Sequence, residues 1–275
     1  MPNAQDVKDT PKRILLLGDT GSGKTTQFLT LPGKKYMYVF DPNCLNSLKG
    51  YDVDYDEYLP TPVPAAVQSL KKEKGGDARR SSSEVYQEFE TQFSERLENG
   101  FFAQYDWLGF DSCTTLLELI MDRLLTINGR FGQWPHEDDW GPQMMAFTNI
   151  CRTVTAMGKR TGISCFFTGH MQDKQNRKTG ISRRIPMMTG TLVQRIPLLF
   201  SDILGCDNDK DEKGKVAYQL QTVRDPEFTV VRTSIKGLDP VESVTIDFSQ
   251  DPVGQGLGGI LNWERKQSEA KHGQG

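Results

Sequence analysis

Residues 14–26 read Ile14-Leu15-Leu16-Leu17-Gly18-Asp19-Thr20-Gly21-Ser22-Gly23-Lys24-Thr25-Thr26. Four aliphatic residues in a row predict a buried strand, and Gly18 with Gly23-Lys24-Thr25 satisfies G-x-x-x-x-G-K-[ST] immediately after it. That spacing lets consecutive backbone N–H groups curl around phosphate oxygens, with Gly18, Gly21 and Gly23 supplying the backbone freedom the curl requires. The next residues predict a helix from Gly23 to about Leu31, closed by Pro32-Gly33, whose positive dipole end points at the same anion. In this reading Gly18, Asp19, Thr20, Gly21, Ser22 and Gly23 wrap the nucleotide phosphates and Lys24 reaches the β- and γ-phosphates. Thr25 places its hydroxyl on Mg²⁺, and Thr26 binds the α-phosphate. A strand-to-helix turn that matches by accident is the alternative; the aliphatic run before it and the amphipathic stretch after it argue against accident.

The chain has 275 residues, 36% hydrophobic and 25% charged, which suits one globular domain with insertions. A net charge of −3 excludes an overall basic field, so any nucleic-acid contact must be local. Cys44, Cys113, Cys151, Cys165 and Cys206 stand at wide, irregular spacing without a C-x-x-C pair, which fits free thiols in a reducing compartment. Met1 to Thr10 is polar and no apolar run reaches membrane-spanning length, so the sequence reads as a cytoplasmic protein without a membrane partner.

Outward from the loop, Tyr36 to Phe40 predicts a second buried strand ending at Asp41-Pro42. Residues 1–10 read as a flexible lead-in, 11–250 as the main domain, 71–83 as a charged mobile insert, and 251–275 as a flexible tail. Val85, Phe89, Phe93 and Leu97 recur every four residues and predict a helix that packs on the sheet. Trp107 to Phe110 is an apolar strand delivering Asp111, and a helix follows from Thr115 to Asn128. Trp134 to Trp140 groups His136, Glu137, Asp138 and Asp139, but chain neighbours do not converge on one ion, so a capped helix start is expected with Met145, Phe147, Ile150, Val154 and Met157 buried. Ile163 to Thr168 predicts another central strand delivering His170. Met171 to Met188 reads as a long basic loop, and 216–221 with 228–231 as an antiparallel hairpin.

This order of elements resembles the RecA-like ATPase core, and more narrowly phage-encoded AAA-type or RecA-like recombination ATPases, over roughly residues 12–235. The resemblance implies an α/β fold: a mainly parallel sheet sandwiched by helices, with a C-terminal antiparallel hairpin. It implies ATP and Mg²⁺ as ligands, with Asp111 holding the metal shell; a helix cap is the other reading of that acid. It places His170 as a γ-phosphate sensor, against the plainer reading of a satisfied structural histidine. Such enzymes carry a glutamate after the second strand to orient water, where this chain has Asp41-Pro42-Asn43, so Asp41 or Asn43 must serve or hydrolysis is slow. The resemblance further implies a homo-oligomer in the host cytoplasm acting on single-stranded DNA, with a single-strand binding protein as a possible further partner. Arg232 is the first candidate for completing a neighbour's site. Lys174, Arg177, Lys178, Arg183 and Arg184 form the strongest basic patch and are the candidate DNA contacts; a solvated surface loop is the alternative. An ATP-binding regulatory module and a P-loop kinase remain the competing functions.

Overall fold

The computed structural model describes residues 10–60, 81–175, 180, 182–188, 190–210, 214–225 and 228–272. Most of the expected lead-in at 1–10 and most of the expected insert at 71–83 lie outside these residues. An eight-stranded sheet forms the centre, in the order β10 (Val241–Ser243), β9 (Val216–Gln221), β8 (Asp202–Lys210), β1 (Arg13–Gly18), β5 (Ser164–Gly169), β4 (Trp107–Asp111), β2 (Lys35–Val39) and β3 (Asp54–Glu57). The six strands from β8 to β3 are mutually parallel, while β9 and β10 add antiparallel strands at one edge. A separate antiparallel pair, β6 (Met171–Gln175) and β7 (Ser182–Pro186), follows β5.

Parallel strands covered on both faces need apolar residues at every position, and this explains the uninterrupted runs in the sequence. Leu15 and Leu17 of β1 join Tyr38, Phe40, Phe110 and Phe167 on one face of the sheet, against α3 (Ser82–Glu98), α4 (Cys113–Ile127), α5 (Trp140–Thr161) and α6 (Leu192–Leu199). Ile14 and Leu16 join Met37, Val39 and Phe166 on the other, against α1 (Lys24–Leu29), α2 (Cys44–Leu48) and α7 (Gly256–His272). Phe110 and Phe167 stack at 4.5 Å between ring centres, locking β4 to β5 directly behind the strand ends. The capping box at Ser81 and Glu84 starts α3, whose Phe89 and Phe93 bury against Tyr38.

Several expectations need correction. The C-terminal stretch is no tail from Gly256 to His272: α7 buries Leu257 and Leu261, and its first turn is bonded to α1. Gln27 donates to the Val244 carbonyl at 2.9 Å and accepts from Leu257 N–H at 2.9 Å, while Gly258 N–H donates to the Thr30 hydroxyl at 2.9 Å. The glycines that read as part of a tail are there for close approach, since a Cβ on Gly258 would lie 1.8 Å from the Thr30 carbonyl oxygen. Residues 228–231 do not pair with β9. Phe228, Val230 and Val231 are all buried in the core on one face of the sheet, so the run does not alternate, and β9 pairs with β8 and β10 instead. The long basic loop is largely the β6–β7 pair. Met145 is exposed, because α5 turns the neighbouring Phe147 inward. The five cysteines are free thiols, all buried. Among the described residues no helix is long and apolar enough to cross a membrane.

Candidate functional site

The strand order decides which residues meet. β5 lies between β1 and β4, so Gly18 at the end of β1, Thr168 to His170 at the end of β5 and Asp111 at the end of β4 arrive side by side at the carboxyl edge of the sheet. There they border a cleft of about 360 Å³ lined by Thr20, Gly21, Gly23 to Thr26, Asp41, Asn43, Asp111, His170 and Tyr218, among others.

The loop is closed around its lysine. Lys24 is buried, and its ammonium donates to the carbonyls of Gly18 at 3.0 Å and Asp19 at 2.7 Å. Burial holds its pKa below the ordinary lysine range, opposed by the charges of Asp111, Asp19 and Asp41. Gly23 has φ of +84°, and a Cβ there would also lie 2.8 Å from the Tyr218 ring. Gly18 is needed for space rather than for its backbone angle: a Cβ would lie 2.1 Å from the Cys206 carbonyl oxygen. Cys206 Sγ and Asn208 Nδ2 donate to the carbonyls of Ser22 at 3.1 Å and Gly21 at 3.0 Å, fixing the loop from β8. Ser22 Oγ is buried with no hydrogen-bond partner among the described residues.

Asp111 is the centre of the second group. Its Oδ2 accepts from Thr25 Oγ1 at 2.5 Å and its Oδ1 accepts from the Thr168 hydroxyl. It does not cap α4; Ser112 does, accepting from Thr115 N–H. Thr26 turns its hydroxyl back to the Gly23 carbonyl at 2.7 Å. Across the cleft, Asp41 Oδ2 stands 3.4 Å from His170 Nε2, and its Oδ1 accepts from Asn43 N–H at 2.9 Å. The hydrogen bond from His170 holds the Asp41 carboxyl below the usual range. His170 is itself positioned through its N–H, which donates to Thr114 Oγ1 at 3.0 Å. Beside Asp111, burial and that acid's charge push the Cys44 thiol well up, so it stays protonated.

The cleft fits a magnesium-bound triphosphate by its own chemistry. A lysine ammonium held by two loop carbonyls and a threonine–aspartate oxygen pair lie within one concave surface. The candidate DNA contacts are placed less uniformly. Lys174 and Arg183 face each other across the β6–β7 pair and are exposed, whereas Arg184 turns inward, reaching Asp19 of the loop at 2.7 Å and lying 5.2 Å over the Phe228 ring. Arg177 and Lys178 lie outside the described residues. Arg232 pairs with Ile203 near the start of β8, at the opposite end of the sheet, and donates to the Pro197 carbonyl at 2.9 Å. Thr168 and Tyr218 were missed as site residues. Thr168 was signalled as the one polar residue in the apolar run Cys165 to Thr168; nothing in the sequence around Tyr218 marks it.

The sequence model of a family described as an AAA domain matches residues 10–230. The chain belongs to that AAA-domain family. No curated protein matches it. The AAA-type match and the parallel sheet with its loop at Gly18 to Thr26 agree on a nucleotide-binding P-loop domain.

Proposed function

We propose that this AAA-type protein is a Mg²⁺-dependent ATPase whose nucleotide cycle works on single-stranded DNA as an oligomer. The observation that carries the ATPase reading is the hydrogen bond of Thr25 to Asp111, which joins the phosphate loop to the β4 acid beside Lys24. Lys24 would exchange its two loop carbonyls for phosphate oxygens, and the loop N–H groups with the start of α1 would hold the rest of the phosphate chain. Thr25 and Asp111 would hold a Mg²⁺ ion, which when bound neutralises charge on the phosphate oxygens. Asp41 would orient the attacking water. Held ionised by His170 and by the Asn43 N–H, it is a weak base, so hydrolysis is slow and limited by positioning. The same two contacts favour the second reading, an ATP-binding module whose nucleotide is regulatory.

The DNA part rests on the exposed Lys174 and Arg183 of the pair that follows His170. Arg184 supports a link between the two sites: its ion pair with Asp19 ties that pair to the loop that takes the phosphates. Phosphate release measured with and without an oligothymidylate, together with the mass of the assembly, separates the readings. Strand-stimulated turnover by an oligomer supports the ATPase acting on DNA, and tight ATP binding without turnover in either condition supports the regulatory module.

A further inference from the structure

The end of the sheet opposite the phosphate loop has a second concave surface. The C-terminal half of α5 passes the first residue of β1 on its way to β5, and α6 lies alongside before β8 begins. Together they border a cleft of about 600 Å³. Arg13, Arg152, Lys159 and Arg195 line it, and no carboxylate does. Among the described residues no carboxylate stands within ion-pair distance of these four, the pairs present lying elsewhere. In a chain of net charge −3, four cations in one hollow repel one another until an anion enters.

Thr148 gives an independent sign of a ligand. It lines the same cleft, is 3% exposed, and its hydroxyl has no hydrogen-bond partner among the described residues. Thr155 and Thr161 on the same helix return their hydroxyls to the Cys151 and Met157 carbonyls at 2.7 and 3.0 Å, and Thr148 does not. Buried hydroxyls ordinarily find a partner.

We propose that this cleft binds the phosphodiester backbone of a single-stranded nucleic acid, apart from the nucleotide at the phosphate loop. The proposal rests on the reading that nucleic acid is what this ATPase acts on. The extent of the surface argues for a strand over a single ion: from Thr148 to Lys159 the lining follows about 16 Å of helix at 1.5 Å per residue. The rim is open, with Leu198 78% exposed as an apolar contact for sugar or base. No aromatic lines the cleft, so binding there is independent of sequence and steeply salt-dependent.

The test is anisotropy of a labelled oligothymidylate of about twenty nucleotides. Wild type is compared with Arg152→Ala/Lys159→Ala/Arg195→Ala and with Thr148→Val, and inorganic tripolyphosphate is titrated as competitor. The triple variant is expected to bind about tenfold more weakly, with a log–log salt slope shallower by about 2, from three lost cations at about 0.7 each. Its ATP affinity stays at the wild-type value. Thr148→Val is expected to weaken oligonucleotide binding about threefold without lowering Tm, because the hydroxyl has no partner to lose; a Thr148 with a merely structural role would lower Tm and leave affinity alone. Wild-type binding that the triple variant retains with the same salt slope overturns the cleft and leaves the nucleic-acid reading standing. Tripolyphosphate displacing the strand at equal phosphate concentration also overturns the proposal, in favour of a free polyphosphate ligand. No oligonucleotide binding by wild type at low salt overturns both the cleft and the nucleic-acid reading.

Discussion

Replacing Asp111 by asparagine keeps its shape and removes its charge, and the structure predicts opposite effects on ATP affinity with and without magnesium. Asp111 is buried, and its two oxygens accept from Thr25 and Thr168, with no cation paired to it among the described residues. An amide retains one acceptor oxygen and sets an NH₂ against the other hydroxyl, so one threonine must accept where it had donated and its charge-assisted bond is lost. Losing a charge-assisted hydrogen bond costs about 1.5–3 kcal/mol, and relieving an unpaired buried charge offsets most of that. Stability should therefore change by no more than about 1 kcal/mol, a Tm shift of about 2–4 °C. With Mg²⁺ present, the same 1.5–3 kcal/mol is lost from metal-dependent binding with nothing to offset it, which is about a ten- to hundredfold weaker affinity. In EDTA the variant should bind ATP as well as wild type or better, because a negative charge beside the phosphates has gone. Calorimetric titration in both conditions reads the two signs. Equal weakening with and without Mg²⁺ would refute the assignment of Asp111 to the metal.

Gly23→Ala should destabilise the protein by about 1–2 kcal/mol from its left-handed backbone alone and weaken ATP binding further by displacing Tyr218, as read by urea melts and nucleotide titration. Leu257→Ala should cost about 2–5 kcal/mol, since the side chain is fully buried against α1, and a Tm within a degree of wild type would return α7 to the status of a tail. ATP affinity should fall with rising pH earlier than an ordinary lysine predicts. Burial depresses Lys24, so the free protein loses that proton below the normal lysine range, and bound phosphate must restore it. Affinity that stays flat up to about pH 10 would contradict this. For folding the sign at Lys24 is reversed: between its depressed value and the ordinary one the unfolded chain holds more protons, so its contribution to stability rises with pH. The Asp41–His170 contact, by contrast, stabilises above the ordinary carboxylate value and is lost as pH falls through the depressed one.

The phosphate loop was legible because its chemistry is local: spacing along the chain, from Gly18 to Thr25, is nearly the geometry itself. Asp111 and His170 were legible as strand ends, since apolar runs stopping at a polar residue mark the carboxyl edge of a parallel sheet. What the sequence did not reveal depends on contacts distant along the chain. Arg184 looks like one cation of a basic stretch, and only the folded chain sets it against Asp19. Met171 to Gln175 and Ser182 to Pro186 show little apolar alternation, so their pairing carried no period-two signal. The glycines of 254–259 have the composition of a linker, yet Gly258 has no room for a side chain against Thr30. Phe228 to Val231 has strand composition, but Phe228 fills the space above Gly205 that any Cβ there would occupy.

The central claim is that Gly18 to Thr26 holds a nucleotide through Lys24, and titrating Mg²⁺-ATP into wild type and Lys24→Met side by side tests it most directly. The substitution keeps the buried stem and removes an ammonium whose burial is itself unfavourable, so Tm should stay close to wild type while ATP affinity falls by about two orders of magnitude, the equivalent of one or two charged hydrogen bonds to phosphate. ATP affinity in a folded Lys24→Met protein within about threefold of wild type, less than the loss of a single charged hydrogen bond, would contradict the account.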